Sequence, residues 1–134
     1  MAKNVICDTD VMIDFWDVAA NRHDSTREIV ENLIRLDNVL LSVVTKMELL
    51  SGALNKRDLN RLDKKLTRFN ISLLNEAISV KAVELLLKYR LSHGLTFPDA
   101  LIAATAIVTG LELFTYNLKD FVFIQGLKLF TPNR

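Results

Sequence analysis

The chain has 134 residues, half of them apolar, and a formal net charge of +1 at pH 7; this suits a single domain with one hydrophobic core and names no partner by charge alone. Four glycines and two prolines exclude collagenous, low-complexity and wholly disordered readings. The longest charge-free run, Ala100 to Leu111, is about half of the ~20 apolar residues a bilayer-spanning helix needs, and Met1 to Asp8 lacks the pattern of a secretory signal, so a cytoplasmic protein without a membrane span is expected.

Short apolar runs recur along the chain. Val5 to Cys7, Val39 to Val44, Ile71 to Leu74, Leu113 to Tyr116 and Lys128 to Thr131 predict strands, several without the alternation of a half-solvated sheet and therefore buried on both faces. Helical spacing between them predicts helices over Val11 to Trp16, Ser25 to Leu36, Thr45 to Leu54, Lys56 to Thr67, Asn75 to Leu91 and Thr96 to Thr109. This alternation is the pattern of an α/β fold, a three-layer α/β/α sandwich around a central, mostly parallel sheet of four to five strands. Ser25 with Glu28, Thr45 with Glu48 and Thr96 with Asp99 stand at capping-box spacing. Asp10 suits the N-cap of the helix from Val11, Pro98 the first turn of its helix, and Gly110 a C-terminal stop. Cys7 is the sole cysteine; it forms no internal disulfide, agrees with a reducing compartment and reads as a small core residue.

In open α/β sheets, ligands bind beyond the carboxyl ends of the strands, so acids placed there carry weight. Asp8 follows the first strand directly, Glu48 lies in the turn of helix after the second, and Asn117 and Asp120 follow Leu113 to Tyr116, while Asp99 opens the helix leading into that strand. Were Asp8, Glu48 and Asp99 to converge, unit charges ~5 Å apart would repel by about 3 kcal/mol per pair at an effective dielectric near 20. Raised pKa values or a divalent cation would relieve this, and ligands that are all oxygen favour Mg²⁺ or Mn²⁺ over Zn²⁺. Such a metal activates water and neutralises charge on a phosphate. Simpler roles also fit: Glu48 and Asp99 as capping-box acids, Asp8 as a turn residue, Asp14 and Asp17 as a solvated face. His23 and His93 have no matched nucleophile, and no glycine-rich phosphate loop is present.

Arg57, Arg61, Lys64, Lys65 and Arg68 recur at i, i+4, i+7, i+8 and i+11, one face of a helix that could track an RNA backbone or simply be solvated, with Leu59, Leu62 and Leu66 turned inward. No aromatic residue interleaves with this stretch, so base stacking is not expected there.

Val5-Ile6-Cys7-Asp8-Thr9-Asp10-Val11, Ser42 to Gly52 around Glu48, Phe97 to Ala106 around Asp99, and Phe114-Thr115-Tyr116-Asn117-Leu118-Lys119-Asp120-Phe121 together resemble, in order and spacing, the PIN-domain nucleases and in particular the VapC-type toxins of toxin-antitoxin pairs. The resemblance spans nearly the whole chain, residues 1–134 as one nuclease domain. It implies a Mg²⁺- or Mn²⁺-dependent endoribonuclease with Asp8, Glu48 and Asp99 as metal-binding and catalytic acids. It further implies an RNA substrate, a homodimer, and a small VapB-type antitoxin that blocks the site. Two positions depart from the family pattern: Asp10 stands where Asn is common, and Asn117 holds the place of the fourth acid. Asn117 is read as a site residue that can offer a carbonyl or hold a water, and Asp10 or Asp120 could supply the missing carboxylate. Asp8-Thr9-Asp10 is also similar to the nucleophile motif of haloacid dehalogenase-like phosphatases, although that family's later Lys and paired-acid motifs are absent. A non-catalytic RNA-binding or regulatory module of the same shape is the remaining alternative.

Overall fold

The computed structural model describes residues 3–132. In chain order it contains β1 (Val5–Cys7), α1 (Thr9–Trp16), α2 (His23–Glu28), which runs on into π-helical turns over Ile29–Ile34, β2 (Val39–Ser42), α3 (Val43–Ser51), α4 (Lys56–Leu66), β3 (Asn70–Ser72), α5 (Glu76–His93), α6 (Phe97–Thr109) and β4 (Glu112–Phe114). The four strands form one sheet in the order β3-β2-β1-β4, every pair parallel. Val5 pairs with Val39 and with Glu112, Ile6 with Leu40 and Leu113, and Cys7 with Phe114, which brings the ends of β1, β2 and β4 to one edge.

The two-residue period of a strand explains why continuous apolar runs are needed. Val5 and Cys7 point to one face and Ile6 to the other. Val5, Cys7, Val39, Leu41 and Phe114 meet Val11, Met12, Val30, Ile34, Leu49 and Leu66 from the helices on their side, and Phe69 from the turn before β3. Ile6 and Leu113 meet Ile78, Ala82 and Leu85 of α5 and Ile102, Ala103 and Ala106 of α6 on the other. Both faces are dry, so each large side chain contributes roughly 1.5–3 kcal/mol by leaving water. The small residues of α6 let it lie flat against the sheet with its N-terminal turn, and Asp99, at the sheet's carboxyl edge.

Several boundaries differ from the sequence expectation. The second strand ends at Ser42, because the Ser42 hydroxyl accepts a hydrogen bond from the Val44 N–H (3.1 Å) and so caps α3; Val43 and Val44 are helical despite their β-branched side chains. Asp8, not Asp10, caps α1. The α2 helix begins at His23, which puts Ser25 inside its first turn rather than at the cap, and the π-helical turns that follow it end at Arg35 with φ 78°. Lys128 to Thr131 is reduced to a single parallel bridge, Leu113 to Leu129. There Leu113 N–H donates to the Lys128 carbonyl (2.9 Å) and Phe130 N–H to the Leu113 carbonyl (2.8 Å). The expected cap at Thr96, the Pro98 position in the first turn, and the Gly110 stop (φ 72°) are all as read from the sequence. Cys7 is fully buried, and burial followed by the charges of Asp8 and Asp10 pushes its thiol up and makes it inert. Among the described residues no helix is long and apolar enough to cross a membrane.

Candidate active site

The site is built at the carboxyl edge of the sheet. Asp8 continues the β1 ladder, its N–H donating to the Phe114 carbonyl (2.9 Å), and then turns the chain into α1. The residue is 4% exposed, and its carboxylate is held by two donors: the Thr9 N–H to Oδ1 (2.8 Å) and the Thr115 hydroxyl to Oδ2 (2.8 Å). The Thr115 oxygen in turn accepts the Asn117 N–H (3.0 Å). Burial, and then the neighbouring charge of Asp10, raises the Asp8 carboxyl to about 7, against the lowering effect of those two hydrogen bonds.

Asp10 lies in the first turn of α1. Its Oδ2 accepts the Tyr116 N–H (3.0 Å), which ties α1 to the segment leaving β4, while Oδ1 is buried and has no hydrogen-bond partner. Burial raises this carboxyl as well. Asp99 is half-buried at the start of α6, and burial first, then the charges of Asp120 and Glu48, lift it to about 6. Glu48 is exposed on α3 and accepts a short hydrogen bond from the Thr9 hydroxyl (2.6 Å). Thr45 Oγ1 lies 3.1 Å from that same Thr9 oxygen.

The structure thus brings Asp8, Asp10, Glu48, Asp99 and Asp120 into one electrostatic neighbourhood. Glu48 and Asp99 line an open groove of about 1000 Å³ together with Arg90, Phe97 and the apolar side of α5. Because α3 starts at Val43, Glu48 lies mid-helix and Thr45 is buried inside it, so the capping-box reading of that pair does not hold; Thr45 faces Thr9 instead. Thr96 does cap α6, its hydroxyl accepting the Asp99 N–H at 3.4 Å, and Asp99 itself lines the groove. Asn117 is exposed just beyond β4.

The family model described as PIN domain matches residues 5–123, from β1 through the turn that carries Asn117 and Asp120. The chain belongs to the PIN-domain family. It is 36% identical to Ribonuclease VapC10 of Mycobacterium tuberculosis over 91 residues, 66% of each chain, so the match spans just under two thirds of that relative. Among solved structures it resembles a toxin-antitoxin complex from Klebsiella pneumoniae, at 31% identity and a TM-score of 0.73 over 96% of this chain and 98% of that one. It also resembles FitAcB from Neisseria gonorrhoeae, at 25% identity and a TM-score of 0.72 over 96% and 97%. The phosphatase-like likeness of Asp8-Thr9-Asp10 therefore stops at those three residues.

Within this PIN domain, three hydroxyls matter that the sequence alone does not single out. Thr115 fixes Asp8, and Thr9 with Thr45 fixes Glu48. Their sequence signal is a threonine at a strand end or inside an apolar helix, positions where a hydroxyl needs a buried partner. Asp14 is also more enclosed than a solvated face allows, with its side chain 14% exposed under the Arg22 guanidinium at 2.7 Å, whereas Asp17 is exposed as expected. Neither histidine faces the acids: His23 Nδ1 meets the Asp14 carbonyl (3.0 Å), and His93 stacks on Phe123.

The basic stretch divides. Arg61 and Lys65 line a smaller cleft of about 370 Å³ that also includes Glu48, Ile13 and Trp16, whereas Arg68 pairs with Asp37 at 3.1 Å. The expectation that no aromatic side chain accompanies these residues is corrected, since α1 brings Trp16 under the Lys65 ammonium, 5.4 Å from the ring centre. Leu66 is buried as expected, but Leu59 is exposed.

The acids offer carboxylate oxygens alone, a donor set that suits Mg²⁺ or Mn²⁺. Among the described residues no three His, Cys, Asp or Glu side chains stand as a group that could hold one ion. Mg²⁺ commonly keeps several waters and takes only one or two carboxylates plus substrate phosphate, and the buried, unpartnered Asp10 Oδ1 is an acceptor that a cation would satisfy. On this test the residues fit a hydrated divalent ion, not a closed protein cage.

Proposed function

We propose that this protein is a Mg²⁺- or Mn²⁺-dependent endoribonuclease that acts as the toxin of a VapBC-type toxin-antitoxin pair. The observation that carries the reading is the crowding of Asp8, Asp10, Glu48 and Asp99 at one sheet edge, with Asp8 raised to about 7 and Asp99 to about 6. A protein gains nothing in stability by burying like charges, so their convergence points to function. The ribonuclease name of the mycobacterial relative and the toxin-antitoxin title of the Klebsiella structure support the same assignment.

Asp8, Asp99 and Glu48 would hold a hydrated cation, in part through its bound waters, and that cation supplies an activated water and charge neutralisation at the scissile phosphate when bound. Thr9 and Thr115 fix the Asp8 carboxylate so that it costs little reorganisation on binding. Thr9 also holds Glu48 by a hydrogen bond, and Asn117, exposed just beyond β4, can orient a water or a phosphate oxygen through its amide. The groove is open, as cleavage inside a long RNA chain requires.

A protein partner is supported by the outer face of α5, where Leu87 is 84% and Leu91 100% exposed, with Phe97 at 69% beside Asp99. Apolar surface of this kind is uncommon on an isolated monomer, and a homodimer or an antitoxin segment covering it would close the groove that leads to Glu48 and Asp99. This is the geometry an inhibitor needs.

The test is incubation of the purified chain, free of partners, with total RNA and Mg²⁺ or Mn²⁺. Discrete fragments are expected that vanish with EDTA and return when Mn²⁺ is restored. Intact RNA under all conditions, from protein that binds RNA and is folded by circular dichroism, would favour the non-catalytic module instead. Combined replacement of Arg57, Arg61 and Lys64 is expected to weaken RNA affinity and to flatten the dependence of log K on log salt, by about 0.7 in slope for each single-strand phosphate that is no longer neutralised. An unchanged slope in a filter-binding titration would return this helix to a merely solvated face.

A further inference from the structure

We propose that Asp10, rather than Asn117 or Asp120, supplies the additional carboxylate oxygen that meets the divalent cation, and that it does so through Oδ1. The inference rests on the metal-dependent reading above and concerns a position that this chain fills with an acid of its own. Among the described residues, Asp10 Oδ1 is the one buried side-chain oxygen or nitrogen without a hydrogen-bond partner. An orphaned buried acceptor is rare in a folded protein and costs free energy unless something occupies it.

The protein groups around Asp10 supply no donor to Oδ1. The Tyr116 N–H is spent on Oδ2, and the neighbouring Val11 N–H on the Asp8 carbonyl (3.1 Å). The nearest cation, Arg22, is bonded to Asp14 at 2.7 Å and lies over the Tyr116 ring, 4.1 Å from its centre. No described hydroxyl or amide donates to Oδ1. Asp8, two residues away, already spends one hydrogen bond on each oxygen yet keeps lone pairs on both, so the Asp8 and Asp10 pair presents free acceptor capacity and no protein donor to fill it.

The two rivals are placed less well. Asn117 is neutral and exposed, tied back by its N–H to Thr115. Asp120 ends the short turn Leu118–Asp120 and stands beside Asp99 rather than Asp8.

The test is Mn²⁺ binding to the full chain, measured by electron paramagnetic resonance and by the rise in melting temperature on adding Mn²⁺. Three proteins are compared: the natural chain, Asp10→Asn and Asp120→Asn. The Asn amide oxygen can still accept the Tyr116 N–H, so the link between α1 and the β4 exit survives while Oδ1 is replaced by a donor. Asp10→Asn is expected to weaken Mn²⁺ affinity ten- to a hundredfold and to remove most of the melting shift, and Asp120→Asn to change affinity by less than about threefold. Should Asp10→Asn lose its circular dichroism spectrum, Asp10→Ser is expected to show the same loss of affinity in folded protein. Unchanged Mn²⁺ affinity in a folded Asp10 variant, or a loss carried by Asp120→Asn instead, overturns the assignment. Failure of the natural chain to bind Mn²⁺ would bring down the metal-dependent reading itself, a result separable from the first.

Discussion

Exchange of Asp99 for Asn is expected to lower RNA cleavage by on the order of 10³-fold, the loss that follows when several kcal/mol of charge stabilisation at the reacting phosphate are withdrawn. The melting temperature should stay level or rise. Asn keeps the shape of Asp99 and leaves the backbone hydrogen bond to the Thr96 hydroxyl intact. It also removes a charge that burial, Asp120 and Glu48 all oppose, effects that outweigh the weakened contact with the Thr96 hydroxyl. A purely capping Asp99 would behave in the opposite way, with a small loss of stability and ordinary cleavage. Initial cleavage rates beside a thermal melt therefore separate the two roles, and undiminished cleavage by this variant would sink the metal-acid mechanism. Asp8→Asn should abolish cleavage too, but it is the less clean experiment. An amide nitrogen facing the Thr115 hydroxyl, whose oxygen already accepts the Asn117 N–H, would force that small network to rearrange.

Much of this site is legible along the chain, for identifiable reasons. Asp8 and Asp99 declare themselves by position, one directly after a buried three-residue strand and the other in a capped first turn, and both signals are local. The parallel sheet follows from apolar runs separated by helical spacing. What escapes is settled between elements. Val43 and Val44 extend the apolar run of β2, and an apolar run cannot say whether a buried strand or a buried helix continues it; the Ser42 cap decides. That single boundary moves Glu48 from a capping position to the middle of α3 and turns it toward Thr9.

The partners of Asp10 are equally invisible along the chain, since Tyr116 lies more than a hundred residues away. An acid directly before an apolar helix face looks like a cap until the tertiary contact shows that Asp8 has already taken that role. Trp16 escapes in the same way: it is absent from the basic stretch in sequence and present beneath Lys65 in space. The resemblance of the four motif segments to PIN domains supplies the global arrangement that local periodicity cannot. It says nothing of the hydroxyls that hold the acids in place.

Without divalent ions, the protein is expected to become less stable as pH rises from about 5 to 8, by on the order of 5 °C in melting temperature. The direction follows from proton counting. The unfolded carboxyls release their protons near the ordinary value of 3.8, whereas the folded chain retains them up to about 6 at Asp99 and about 7 at Asp8. Through that window the native state binds more protons than the unfolded state, and stability falls with each unit of pH. The Asp8 contribution dominates because Asp8 is almost wholly buried; that of Asp99, half-exposed, is reduced by solvent screening. Mn²⁺ should reverse the trend, since a cation binds the deprotonated acids of the native state and stabilises it further as they ionise. Melting curves in EDTA and in Mn²⁺ across this range should therefore diverge with rising pH, and Asp99→Asn should flatten the part of the EDTA curve near pH 6. A level EDTA curve from pH 5 to 8 would mean that these carboxyls are ionised throughout and that the crowding of charge at the sheet edge is relieved by solvent alone.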